Sequence, residues 1–205
     1  MRVLPARVRL TLIALTLCAL AAVAGVLLAD RRTPTASGLE LVNGWAGALR
    51  PEGVPVPDFT LTDQEGNTVT SASLRGKPVV YTFIYSTCED TCPAQVQTIR
   101  NALDRLDDPD AHVVGISVDP ANDTPKRAES FLLEQQMTGR MSFLLGTREQ
   151  LAPVWEAFGI QPQDDQLEHS AHTVLADARG FQRIGFPFDH ITGEGLAHDL
   201  ARLAR

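Results

Sequence analysis

Between Pro78 and Tyr85 the chain reads Pro-Val-Val-Tyr-Thr-Phe-Ile-Tyr, an uncharged run of β-branched and aromatic residues. Such a run suits a central strand buried on both faces, because polar–apolar alternation is needed only where one face meets water. A strand of this kind obliges the chain to cover both sides of its sheet. His112-Val113-Val114-Gly115-Ile116-Ser117-Val118 has the same character. Between the two, Val96, Ile99, Leu103 and Leu106 form one helical stripe that Asp107–Asp110 breaks. Strand, helix and strand in this order predict parallel pairing with a right-handed crossover.

The remaining elements extend the pattern. Phe59-Thr60-Leu61 and Thr68-Val69-Thr70 flank a turn cluster at Asp63–Asn67 and predict a small hairpin. Thr124-Pro125 supplies a cap and a first-turn proline for a helix with Ala128, Phe131 and Leu132 inward. Met141–Leu145 reads as a strand. Thr147-Arg148-Glu149-Gln150 is a capping box opening a helix with Leu151, Val154, Trp155 and Phe158, disturbed by Pro153. Thr173–Ala176 and Phe181–Phe186 flank Asp177-Ala178-Arg179-Gly180 as a second hairpin, and a short helix from about Thr192 closes the chain. The expected class is α/β, a sheet with helices on both faces.

Ahead of this domain lie twenty uncharged residues, Leu10–Ala29. As a helix they would span about 30 Å, the thickness of a bilayer's hydrocarbon core. We read residues 1–9 as a basic cytoplasmic leader and 10–29 as a transmembrane anchor, a cleaved signal segment being the alternative. Residues 30–54, rich in proline and glycine, read as a tether, and 55–205 as the domain. The positive charges of Arg2, Arg7 and Arg9 favour a cytoplasmic N-terminus, with the domain on the periplasmic or other extracytoplasmic face of the inner membrane. Cys18 reads as a small apolar residue of the span. The net charge is −7 overall, and residues 31–205 carry −9 of it against +2 in the first thirty. An acidic domain argues against nucleic acid as a partner. A hydrophobic content of 44% excludes wholesale disorder, and three cysteines exclude a disulfide-dense scaffold.

In open α/β sheets reactive groups gather at the carboxyl ends of the strands. Directly after the Pro78–Tyr85 strand comes Ser86-Thr87-Cys88-Glu89-Asp90-Thr91-Cys92-Pro93, with both cysteines of the domain. Proline fits a helix best in the first turn, where no intrahelical N–H bond is required, so Pro93 places Cys92 at or just inside a helix start and Cys88 in the preceding loop or at the helix entry. A helix start stabilises thiolate, whereas Glu89 and Asp90 set negative charge beside the sulfurs. We take that opposition to favour a bound cation over a free thiolate.

Two thiolates leave a soft metal short of donors. His112 opens a buried strand, and His190 and His198 fall near the last helix. His169, at the junction before Thr173–Ala176, is the better candidate ligand. His172, three residues on, turns to the opposite face by strand alternation. Two sulfurs and one imidazole suit Cu(I) and help hold Cu(II). Zinc would accept the same groups, but a structural zinc site closes with four protein ligands, and the domain has no further cysteine.

These residues resemble the Sco/SenC family of copper-binding cytochrome c oxidase assembly proteins over roughly 55–204. The resemblance rests on Cys88, Cys92 and Pro93 as C-x-x-x-C-P, on Ser117-Val118-Asp119-Pro120 with Asp123-Thr124-Pro125, and on His169-Ser170 with Asp177 and Gly180 downstream. The apolar segment ahead of the domain agrees with it. Glu89 stands where the family often has proline. The resemblance implies a thioredoxin-like fold and copper binding by Cys88, Cys92 and His169. It also implies dithiol–disulfide cycling of the two cysteines. The partner it implies is the binuclear copper centre of oxidase subunit II, with an upstream copper donor or thiol reductase. Asp119 we read as a turn residue and Asp123 as a helix-start residue.

The leading expectation is therefore a membrane-anchored metallochaperone rather than an enzyme. The rival is a thiol–disulfide oxidoreductase that reduces cysteines of the oxidase subunit or of other exported proteins, which needs only Cys88 and Cys92. A thioredoxin-like peroxidase fits less well, since no peroxide-activating arginine stands beside Cys88.

Overall fold

The computed structural model describes residues 39–107, 109–161 and 171–205, together with Pro5, Thr16 and Cys18. The expected span over 10–29 lies outside the described residues apart from Thr16 and Cys18, and His169 lies outside them altogether. Among the described residues no helix is long and apolar enough to cross a membrane.

The eight strands are β1 (Ala48–Leu49), β2 (Thr60–Thr62), β3 (Thr68–Thr70), β4 (Val79–Ile84), β5 (His112–Ser117), β6 (Ser142–Leu144), β7 (His172–Ala176) and β8 (Gln182–Pro187) among the described residues. Among the described residues of 39–205, four α-helices accompany them: α1 (Thr91–Arg105), α2 (Pro125–Glu134), α3 (Arg148–Phe158) and α4 (Gly193–Leu203). Six strands form one mixed sheet in the order β1-β8-β7-β4-β5-β6, and β2 and β3 pair as a separate hairpin. β4 runs parallel to β5, with Ile84 opposite Ser117. It runs antiparallel to β7, with Thr82 opposite Thr173.

Every residue of β4 is buried, and its side chains divide by alternation between two cores. Val80 and Ile84 join the core formed with Val96, Ile99 and Leu103 of α1, Phe131 and Leu132 of α2, and Leu196 and Leu200 of α4. Val79, Tyr81 and Phe83 join Leu151, Val154, Trp155 and Phe158 of α3 and Leu61 of the hairpin. The Phe158 ring packs 5.1 Å from both Tyr81 and Phe83, tilted against each. The two-sided layering expected of this strand is therefore present.

The helix ends follow their local chemistry. Thr124 Oγ1 accepts the Arg127 N–H with Pro125 in the first turn, and Thr147 and Gln150 form the reciprocal capping box. Thr192 Oγ1 accepts the Gly195 N–H. α3 stays continuous through Pro153 and ends on Gly159, whose φ of 72° is the left-handed conformation that glycine adopts without steric cost.

Of the stretch read as tether over 30–54, residues 41–54 are folded into the domain: 41–205 form one compact unit. Ala48 and Leu49 pair with Gly185 and Ile184 as an edge strand. The carboxylate of Asp199, fully buried on α4, accepts the N–H groups of Ala46 and Gly47 at 2.9 Å each. The Arg202 guanidinium lies 4.5 Å over the Trp45 ring. Gly47 is required by close approach: a Cβ there would lie 2.4 Å from the Ile184 side chain and 2.7 Å from the Phe186 ring. Gly47 here thus serves tight packing.

Phe158→Ala removes the ring that bridges α3 to β4. It should lower unfolding free energy by about 3–5 kcal/mol, as measured by urea denaturation. A loss below about 1 kcal/mol would show that the α3 face contributes little to holding β4.

Candidate metal centre

β4 ends at Ile84, and the chain turns at once, the Cys88 N–H reaching the Tyr85 carbonyl at 3.3 Å. α1 begins at Thr91, which puts Cys92 second and Pro93 third in the helix. The placement expected from Pro93 is what the structure has. Both cysteines are free thiols. Cys88 retains 8% exposure and Cys92 none.

The sulfurs differ in chemistry as well as in access. Cys88 Sγ accepts the Cys92 backbone N–H at 3.3 Å and lies 3.4 Å from the Thr91 hydroxyl. The Cys92 thiol hydrogen-bonds the Cys88 sulfur and is the main cause of a Cys88 pKa well below the ordinary thiol range. Burial opposes that shift, and the Thr91 hydroxyl with the Cys92 and Asp90 N–H groups reinforces it. Cys92 is pushed the other way, first by the same bond to Cys88 and then by burial. The pair therefore combines a slightly exposed sulfur that favours the thiolate with a fully enclosed one that favours the thiol.

Glu89 and Asp90 act less than expected. Both are exposed, and water screens their charges. The Asp90 backbone N–H, by contrast, favours the Cys88 thiolate. The expectation that these acids discourage a free thiolate is thus not met: the Cys92 thiol first, then the Thr91 hydroxyl and the Cys92 and Asp90 N–H groups, favour the Cys88 thiolate. Tyr85, at the end of β4, is held protonated by burial and by its hydrogen bond to Cys88.

Asp123 also departs from its expected role. Thr124 caps α2, and the Asp123 carboxylate turns inward. It accepts the Ser86 N–H at 2.7 Å, the Ser86 hydroxyl at 2.5 Å and the Ser117 hydroxyl at 2.5 Å. Burial raises its pKa against the pull of these bonds. A usable signal was present in the sequence: two serines at the ends of neighbouring parallel strands, and an aspartate left spare beside a threonine cap. Asp119 does form a turn, its carbonyl accepting the Asn122 and Asp123 N–H groups at 3.1 and 2.9 Å.

His112 opens β5 and His172 opens β7, each partly buried with its pKa lowered first by desolvation. His190 lies 3.4 Å from Asp189 on the surface. His198 Nδ1 is 2.8 Å from the buried Asp199 carboxylate. Among the described residues no three His, Cys, Asp or Glu side chains are grouped to hold a metal. His169 lies outside them. The register does bear on its segment. Thr173 lies opposite Thr82 in antiparallel pairing, so the chain enters β7 at the end of the sheet where β4 delivers the cysteine loop.

A mixed sheet with a strand-end cysteine pair at a helix start defines a thioredoxin-like α/β protein, and solved structures agree. BsSco, a member of the Sco family of cytochrome c oxidase assembly proteins, matches the fold with a TM-score of 0.66 at 24% identity, over 75% of this chain and 95% of that one. Copper-bound ScoI of Bradyrhizobium japonicum matches with a TM-score of 0.59 at 29% identity, over 73% of this chain and 99% of its own. Protein SCO2, mitochondrial, of Saccharomyces cerevisiae is 30% identical over 150 residues, 66% of this chain and 49% of the yeast protein. The chain thus spans about half the length of that relative. The SCO1/SenC family model matches residues 49–205. The protein belongs to the SCO1/SenC family.

The asymmetry of the pair sets an order of reactivity. In metal-free protein at pH 6, iodoacetamide should label Cys88 well before Cys92, as located by peptide mass. Cys92→Ala removes the thiol that stabilises the Cys88 thiolate, so the Cys88 pKa rises and its labelling at pH 6 slows. Equal labelling of the two cysteines, or faster labelling in Cys92→Ala, would contradict the assignment.

Proposed function

We propose that the protein is a membrane-anchored copper carrier in which Cys88, Cys92 and His169 hold copper as cargo for the binuclear copper centre of cytochrome c oxidase subunit II. The observation that carries this reading is the pair of free thiols, one 8% exposed and one fully buried, at the end of the central strand. Two sulfurs form a soft donor set suited to Cu(I), and an imidazole extends it to Cu(II). His169 is the third donor, supported by the entry of its segment into β7 beside the end of β4. Copper bound to the similar ScoI supports the choice of metal. Cys92, enclosed, retains the ion, while Cys88, nearer solvent, meets the incoming ligand during exchange. Residues 10–29 anchor the chain in the inner membrane, with the domain on the extracytoplasmic face. An upstream copper donor loads the site, or a thiol reductase keeps its cysteines reduced.

A second reading, a thiol–disulfide oxidoreductase, is favoured by one observation. An accessible low-pKa sulfur beside an enclosed high-pKa one is the arrangement that attacks and then resolves a mixed disulfide. Reducing the target's cysteines before loading them would join the two readings.

The test is anaerobic Cu(I) titration of the full chain against a competing chelator. The parent should retain copper, Cys88→Ser and Cys92→Ser should lose it, and His169→Ala should retain less than the parent. Equal retention by His169→Ala removes that residue from the site. A parent that reduces insulin disulfides yet holds no copper against the chelator overturns the carrier reading in favour of the reductase.

A further inference from the structure

The Asp123 carboxylate gathers three hydrogen bonds from two segments, and nothing in the copper chemistry above uses it. Two come from Ser86, on the loop that leads from β4 to Cys88, and the third from Ser117, the last residue of β5. Ser86 is 37 residues from Asp123 in the chain, so this is a tertiary link and not a local cap. The far end of the link is itself fixed. Trp155 Nε1 donates to the Ser117 carbonyl at 2.9 Å, and the Asp119 N–H donates to the Ser117 hydroxyl at 3.3 Å. The Asp123 backbone is pinned too, through its N–H to the Asp119 carbonyl at 2.9 Å. One buried carboxylate thus ties the start of the cysteine loop to a strand end held by α3 and by its own turn.

The geometry points to Asp123 as the positioning residue of the cysteine pair: its carboxylate holds the loop that sets Cys88 Sγ against the Cys92 N–H and the Thr91 hydroxyl, and so sets the dithiol–disulfide balance. The link acts through Ser86 and touches neither sulfur. This inference rests on Cys88 and Cys92 being the working pair and is independent of which metal they hold. A loop freed at Ser86 loses the registration of Cys88 on the helix start, and with it the Cys92 N–H and Thr91 hydroxyl contacts that hold the reduced pair.

The experiment equilibrates the metal-free full chain with glutathione. Oxidised glutathione takes two electrons from the Cys88–Cys92 dithiol, an intramolecular S–S bond forms, the glutathione S–S bond breaks, and both thiol protons end on two reduced glutathiones. The equilibrium constant is read by trapping free thiols. Asp123→Ala should shift it by at least about fivefold from the parent. Asp123→Asn keeps an oxygen for the Ser86 N–H and should fall between them. Should Asp123→Ala not fold, Asp123→Asn combined with Ser86→Ala takes its place, with a shift larger than that of Asp123→Asn alone. Asp199→Asn is the control: another buried aspartate that accepts backbone N–H groups, whose replacement should lower stability yet leave the constant within about twofold of the parent. An Asp123 series that stays within the same twofold while losing stability would overturn the inference and leave Asp123 a purely structural residue. A parent that holds no copper would sink the carrier reading without touching this result.

Discussion

β4 has no solvent face, and the rest of the molecule is arranged around that fact. Six consecutive buried residues demand a cover on each side, and the alternation of their side chains feeds two separate cores. A strand so held is a rigid support, and the loop that leaves its end inherits that rigidity. Cys88 and Cys92 are on that loop and the helix it enters. The burial that stabilises the sheet therefore also fixes where the two sulfurs meet.

The site gains its character from hydrogen bonds more than from side-chain charge. The Cys92 thiol is the main influence that lowers the Cys88 pKa, and the Thr91 hydroxyl and the backbone N–H groups at the start of α1 add to it. The acidic side chains alongside face water. Burial then separates the partners, leaving one sulfur near the surface and the other fully enclosed. Such a division suits the proposed cargo exchange and disulfide exchange alike, since both readings draw on the same pair of sulfurs.

The core of the fold was legible because its signals are local. The Pro78–Tyr85 run, the Thr124-Pro125 cap, the Thr147–Gln150 box and the position of Pro93 each depend on neighbours within a few residues, and each appears as read. Three features read differently in the sequence, two of them because the deciding partner lies far along the chain. Asp123 looks like a helix-start residue in sequence, yet its partner Ser86 is 37 residues away. The stretch 41–54 has a linker's composition, but Asp199, more than 150 residues on, holds its N–H groups. The influence of Glu89 and Asp90 was misjudged because a sequence gives the sign of a charge without the direction it faces. His169 was picked out by its place before a strand, and it lies outside the described residues.

The central claim is that the sulfurs of Cys88 and Cys92 bind copper together. Copper-edge X-ray absorption of the copper-loaded full chain tests it most directly. The account predicts a ligand shell with two sulfur scatterers and one nitrogen, falling to a single sulfur when either cysteine is changed to serine. A shell made only of oxygen and nitrogen donors, or one that keeps both sulfurs in those variants, would contradict it.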